Sequence, residues 1–391
     1  MGPSTRIQVI TEGILTRRIQ GDPELTGVGL LIFDEFHERS LHADLGLALA
    51  LDTVSALRED LRILVMSATL DAEPVSRLLG GAPVIRGEGR VHPVTIFYRD
   101  RPPPGNPADA VAAEVQRALN ETEGDVLAFL PGSAEIRRTR ERLVPAIGEA
   151  VRVLPLHGSM PVREQDRVLR PCRGGERRVV LATDIAETSL TIEGVSAVVD
   201  SGLTRKPRFH AGSGLSRLVT EPISLAAAHQ RAGRAGRLGP GTCYRLWSRS
   251  QESGRPPLRP AEITQADLTP LVLELALWGV SDPARLSWLD PPPPAAWGQA
   301  ANLLRSLGAL DESGSITPFG RSMAEFPVHP RLARMLVGAP PGASRRVAAD
   351  LAALLSDRDP WLDAPGESRP ADLGMRLRAL ESFRSGASVQ W

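Results

Sequence analysis

Lysine is almost absent from this chain. Among 391 residues Lys206 is the only one, and every other basic side chain except histidine is an arginine. Aromatic residues make up 4% of the sequence, so extensive base stacking is excluded as the basis of any grip on a nucleic acid. There are two cysteines, Cys172 and Cys243, which give neither a disulfide framework nor a zinc-ligand spacing. They read as inert thiols and point to a reducing cytoplasm. No apolar run approaches the roughly 20 residues needed to cross a bilayer, and the start of the chain has no signal-peptide pattern, so no membrane partner is expected. Net charge is zero, so any nucleic-acid surface must be a local patch rather than a property of the whole chain.

What is present is the composition of a folded protein, 42% hydrophobic and 24% charged, long enough for two to four domains. Continuous apolar runs at Val28–Phe33, Leu61–Ser67, Val94–Tyr98, Asp125–Leu130, Val151–Pro155, Arg178–Thr183 and Ala197–Asp200 read as parallel strands buried on both faces. Helical patterns such as Pro107–Asn120 and Ser133–Ile147 alternate with them, which is the pattern of an open parallel α/β sheet. The segment "RDRPPPGNPAD", Arg99 to Asp109, reads as a linker that splits this region into two units. Beyond Gln251 the strand signal fades. Helix, helix and the tight turn "DESGSIT" suggest a winged-helix module, and a helical segment closes the chain.

Asp34 and Glu35 in "GVGLLIFDEFHERS" stand just past a strand, where open parallel sheets bind ligands. An aspartate there can hold Mg²⁺, and a neighbouring glutamate can orient or deprotonate water. Two acids at that position equally suit the cap of a following helix. "SAT" at Ser67 to Thr69 ends the next strand, and "ATDIAETSLTIEGV" follows a strand of the second unit. "HQRAGRAGR" sets Arg231, Arg234 and Arg237 three residues apart, close to one face of a helix. "TEGILTRR" lies near the start. His157 in "LPLHGSM" reads as a structural side chain and Pro291–Pro294 as a rigid linker.

In this order and spacing, "DEFHERS", "SAT", "ATDIAETSLTI" and "QRAGRAGR" resemble motifs II, III, V and VI of the DEAH-box superfamily 2 helicases. "DEFH" in place of "DEAH" resembles the bacterial HrpB-type branch. The resemblance covers nearly the whole chain, including "LLRSLGALDESGSITPFGRSMAEFPVHPRL", which is similar to that family's winged-helix domain. It implies an α/β protein: an incomplete RecA-like domain over 1–98, a second RecA-like domain over 99–250, a winged helix over 251–330 and a helical segment over 331–391. It further implies ATP and Mg²⁺ as cofactors and single-stranded nucleic acid, RNA rather than DNA, as partner.

The resemblance also assigns roles. Asp34 organises Mg²⁺, Glu35 is the catalytic base, and His37 couples the nucleotide site to motif VI. Ser67 and Thr69 link hydrolysis to unwinding. Gln230 orients the attacking water, and Arg234 and Arg237 are the arginine fingers. Thr11, Gly13, Arg17 and Thr188 contact the nucleic-acid backbone. Such helicases also need a phosphate loop, "GxxxxGK[ST]", ahead of motif II. Lys206 cannot supply it, because it lies after motif II in "LTRKPRFH" with no glycine before it. Three readings follow: a fragment of a longer helicase, an ATPase-dead protein that still binds nucleic acid, or a partner chain that brings the loop. In each, the first sheet is expected to expose backbone edges and the isolated chain to hydrolyse no ATP.

Overall fold

The computed structural model describes residues 2, 4–68, 71–87, 92–101, 105–148, 151–170, 176–187, 190, 192–210, 214–357 and 372–386. The chain divides into two compact units. One comprises Leu30–Ser40 and Arg62–Gln265, the other Met1–Gly29, Leu41–Leu61 and Ala266–Trp391.

The first of these units is an α/β body. Its strands are β1 (Leu30–Phe33), β2 (Arg62–Val65), β3 (Val94–Tyr98), β4 (Asp125–Phe129), β5 (Val151–Leu156), β6 (Arg177–Ala182), β7 (Val195–Asp200), β8 (Leu203–His210), β9 (Leu215–Pro222) and β10 (Gly241–Arg245). Six of them form an all-parallel sheet in the order β3-β10-β7-β4-β6-β5. Alternation along β4 shows why the run is apolar throughout. Val126, Ala128 and Leu130 enter a core with Val111, Val115 and Val179, while Leu127 and Phe129 enter the opposite core with Val180, Val198 and Ala232. The helices Pro107–Glu121 and Ser133–Ile147 lie where the sequence pattern places them. The first is started by Asn106, whose side chain accepts the Ala108 amide.

Val94–Tyr98, which the sequence assigns to the first unit, pairs with β10 of the large sheet. The Arg99 amide continues that pairing by donating to the Trp247 carbonyl. β10 and the antiparallel hairpin β8–β9 have no counterpart in the sequence-based reading. β1 and β2 form a separate parallel pair with no third strand among the described residues. Leu30, Ile32, Leu64 and Met66 are exposed there, the condition expected when a parallel strand has too few neighbours.

The second unit is helical. Helices Glu12–Gly21 and Leu41–Ala56 pack together, the latter buried almost all round through Leu45, Leu47, Leu49 and Ala50. Gln20 bonds Glu274, and the Trp278 indole donates to Asp52 at 2.8 Å. Thr269–Leu277, Pro294–Ser306 and Pro318–Ala324, with an antiparallel bridge between Leu310 and Ile316, form the expected winged-helix arrangement. The turn between the bridged residues is closed by Asp311, which accepts the Ser315 amide. Helices Pro330–Gly338, Ala343–Ser356 and Leu373–Arg384 follow. No described helix is long and apolar enough to cross a membrane.

Candidate active site

At the carboxyl end of β1 the chain reverses sharply. Glu35 adopts a left-handed conformation, φ 50° and ψ 34°, and Arg39 does the same at φ 51°. Non-glycine residues enter this region at a cost of about 1–3 kcal/mol, held by their surroundings. The hold is visible. The Glu35 amide donates to Asp34 Oδ1 at 2.8 Å, and the Phe36 amide donates to the Met66 carbonyl beyond β2 at 3.0 Å. Phe36 is buried edge-on against Phe33. The turn leaves Asp34 exposed and Glu35 half-exposed, while His37 is buried.

His37 joins two motifs that are 193 residues apart. Its Nε2 lies 2.8 Å from Gln230 Nε2, and its Nδ1 lies 3.3 Å from Glu35 Oε2. The Ala68 amide donates to Nδ1 at 3.5 Å, so the ring is approached by an amide nitrogen at each of its two nitrogens. The His37 imidazole therefore lies in a line between the Glu35 carboxylate and the Gln230 amide.

Gln230 stands on the helix Leu225–Gly233, started by Ser224, whose hydroxyl accepts the Ala227 amide. The three arginines that follow do not share a helical face. Arg231 is 1% exposed, its Nε donating to Glu187 and its Nη1 to Asp200, each at 3.0 Å. Its guanidinium also lies 4.7 Å over the Phe129 ring. Arg234 caps the helix end and turns back, donating to the carbonyls of Glu187 and Leu190. Burial, with Arg237 as a like charge nearby, pushes its pKa down to about 10. Arg237 lies past the helix and is exposed. Gly236 between them permits the turn, since a Cβ there would sit 2.6 Å from the His92 carbonyl oxygen.

Arg231, Glu187 and Asp200 are what the sequence reading missed. The arginine repeat suggested three equivalent side chains, but its first member is the buried clamp between the segment after β6, the end of β7 and the helix. Arg259 adds a second contact to Glu187 at 3.4 Å.

The other expected residues divide into three groups. Ser67 lies just past β2 and is exposed. Thr11, Gly13 and Arg17 belong to the helical unit, at the start of Glu12–Gly21. Thr69 and Thr188 lie outside the described residues, as does Cys172. His157 contacts the Ser159 hydroxyl through Nδ1 at 2.7 Å. Cys243 is buried, which pushes its thiol pKa up and makes it inert.

The donor set suits Mg²⁺ only in company. No cluster of three or more His, Cys, Asp or Glu able to hold a metal occurs among the described residues. Asp34 offers an exposed carboxylate with one oxygen free of the Glu35 amide. Mg²⁺ is commonly held by one or two carboxylates, several waters and substrate phosphates, and Asp34 fits that role.

Comparisons with known proteins give the family. Residues 109–239 match the helicase conserved C-terminal domain, and residues 300–328 match the helicase associated domain, winged-helix. The chain is 48% identical over 357 residues to the ATP-dependent RNA helicase HrpB of Escherichia coli, an alignment covering 91% of this chain and 44% of that protein. A crystal structure of E. coli DEAH/RHA helicase HrpB superposes with a TM-score of 0.88 at 46% identity, covering 96% of this chain and 47% of the other. A structure of E. coli DExH-box NTPase HrpB gives 0.84 at 44% identity, covering 99% and 48%. The chain thus spans about half the length of the relatives it matches.

Proposed function

We propose, since this chain belongs to the HrpB-type DEAH-box helicases, that it carries the water-activating and arginine-finger half of an RNA-dependent ATPase site. The supporting observation is the Glu35–His37–Gln230 line, which ties the acid pair of motif II to motif VI. In this reading Asp34 holds Mg²⁺ beside the nucleotide phosphates. Glu35 accepts a proton from the attacking water, and Gln230 helps aim that water. Arg237 and Arg234 face the charge that develops on the transferred phosphoryl group; fingers of this kind contribute about 10³–10⁵ in rate. Arg234 must leave the carbonyls of Glu187 and Leu190 to do so, while Arg237 lies exposed past the helix. Mg²⁺, when bound, supplies charge neutralisation at the β- and γ-phosphates.

The phosphate-holding half has no counterpart in the sequence, whose one lysine follows motif II. The isolated chain is therefore expected to turn over no ATP. Joining a phosphate-loop segment of the family ahead of this sequence tests the reading. RNA-stimulated ATP hydrolysis should appear, and Glu35→Gln should remove it. Hydrolysis that survives Glu35→Gln in the joined protein would overturn the assignment of the base.

The same missing loop favours a second, non-catalytic reading: a nucleic-acid-binding protein or scaffold that works without ATP. Ser67, Thr69, Thr188, Thr11, Gly13 and Arg17 then serve backbone contact alone, which positions a strand without reading its sequence. Binding of a single-stranded RNA should fall steeply with salt and be unchanged by added ATP and Mg²⁺. An ATP-dependent shift in affinity would argue against this reading.

A further inference from the structure

The only lysine of the chain lies in a cavity. On β8, Thr204, Lys206 and Arg208 alternate onto one face of the β8–β9 hairpin, with Glu221 of β9 opposite Thr204. They line a cavity of about 250 Å³ whose walls include Pro222, Pro256 and Arg259. The charged neighbours are mostly committed to one another. Arg208 grips both carboxylate oxygens of Glu221 through Nε and Nη2, at 2.5 to 2.9 Å. Glu187 is shared by Arg231 and Arg259. Asp184 accepts from the Thr204 hydroxyl at 3.4 Å. The Lys206 side chain, half-buried, forms no hydrogen bond or ion pair with any described residue, and the cavity leaves space beside it.

Those surroundings disfavour its charged form. Burial first, and Arg259 second, lower its pKa to about 8, against the pull of Asp184, Glu187 and Glu221. Near pH 8 about half of the side chain is free amine, where an ordinary lysine, at about 10.4, is almost wholly protonated. An uncharged, unbonded amine in an open cavity is a nucleophile. Arg259 makes one contact, to Glu187, and its guanidinium has five N–H donors, so it retains donors for an oxyanion.

We propose that Lys206 is a site of N-acylation by small acyl phosphates, with Arg259 holding the phosphoryl group in the cavity. The Lys206 amine attacks the acyl carbon and forms the C–N bond. The bond from that carbon to the phosphate oxygen breaks, inorganic phosphate leaves with the electron pair, and the surplus amine proton passes to water. The product is a neutral amide, so the cavity loses the Lys206 cation next to the Arg259–Glu187 contact.

Because there is one lysine, the chain has two reactive amines, and the N-terminal amine serves as an internal reference. The whole chain is treated with acetyl phosphate at several pH values, folded and in urea, and acylation is followed by peptide mass spectrometry. Lys206 should react at a rate comparable to the N-terminal amine in the folded chain. At pH 8 it should react at least about tenfold faster than in the unfolded chain, given the pKa difference. Its rate should level off above pH 8 when folded and keep rising towards about 10.4 when unfolded. A folded rate at or below the unfolded rate overturns the proposal, as does a folded profile that keeps rising to about 10.4. Arg259→Gln, checked for folding by circular dichroism, should slow acylation by acetyl phosphate several-fold more than acylation by an acetyl thioester. Equal slowing of both removes Arg259 from the role.

Discussion

The two parallel sheets are built from the same kind of strand and end in opposite conditions. β4 is buried at every residue, flanked by β6 and β7 and covered by a core on each face. β1, with an equally apolar sequence, leaves Leu30 and Ile32 about half exposed, and Leu64 within β2 and Met66 just beyond it are exposed as well. Local sequence decides that a run can be a strand. Only neighbours decide whether its side chains leave water. The acid pair of the candidate site thus hangs from the poorly supported sheet, and motif VI belongs to the well-supported one.

The sharpest way to break this comparison is through the buried clamp of the large sheet. Arg231→Met leaves Glu187 and Asp200 buried without their shared partner, at a cost of about 3–5 kcal/mol. Leu127→Ala in β4 should cost about 2–5 kcal/mol through the cavity it opens. Both are read from chemical denaturation followed by fluorescence, and a change below about 1 kcal/mol for either would mean that the sheet is not as tightly held as its burial indicates.

A smaller effect comes from Lys206 and depends on pH. Its folded pKa, about 8, lies below the unfolded value of about 10.4. Between these values the unfolded chain binds more protons, so stability rises with pH across that window, and the full penalty applies below pH 8. Lys206→Met should therefore be more stable than the parent at pH 7, and the difference should shrink as pH approaches 10. A difference that is constant with pH would contradict the burial of the ammonium group. The smallest effect is expected at β1 and β2. Ile32→Thr and Leu64→Thr should change stability by no more than about 0.5 kcal/mol while raising solubility, because these side chains gain little from folding here.

Much of the large sheet was legible because fully buried parallel strands are continuous apolar runs. β4, β5, β6 and β7 fall within two residues of the expected positions. The hairpin β8–β9 was not legible, since "LTRKPRFH" carries three basic residues and a proline and lacks the continuous apolar run by which the other strands were read. β10, "GTCYR", is short and mixed, and its place is set by pairing with β3 and β7. In the candidate site, the order of the motifs singled out Glu35, His37 and Gln230, which the structure brings side by side. The separate fate of Arg231 was hidden, because its carboxylate partners lie 44 and 31 residues away and leave no local pattern around it. The imidazole that joins Glu35 to Gln230 likewise depends on a contact spanning 193 residues.

The central proposal is that Asp34, Glu35, Gln230 and the arginines of motif VI form one half of an ATPase site, without the half that grips phosphate. Steady-state ATP hydrolysis by the purified 391-residue chain, with and without single-stranded RNA, tests it most directly. The expected result is turnover indistinguishable from that of the Glu35→Gln variant under both conditions. RNA-stimulated hydrolysis by the parent chain that Glu35→Gln abolishes would contradict it.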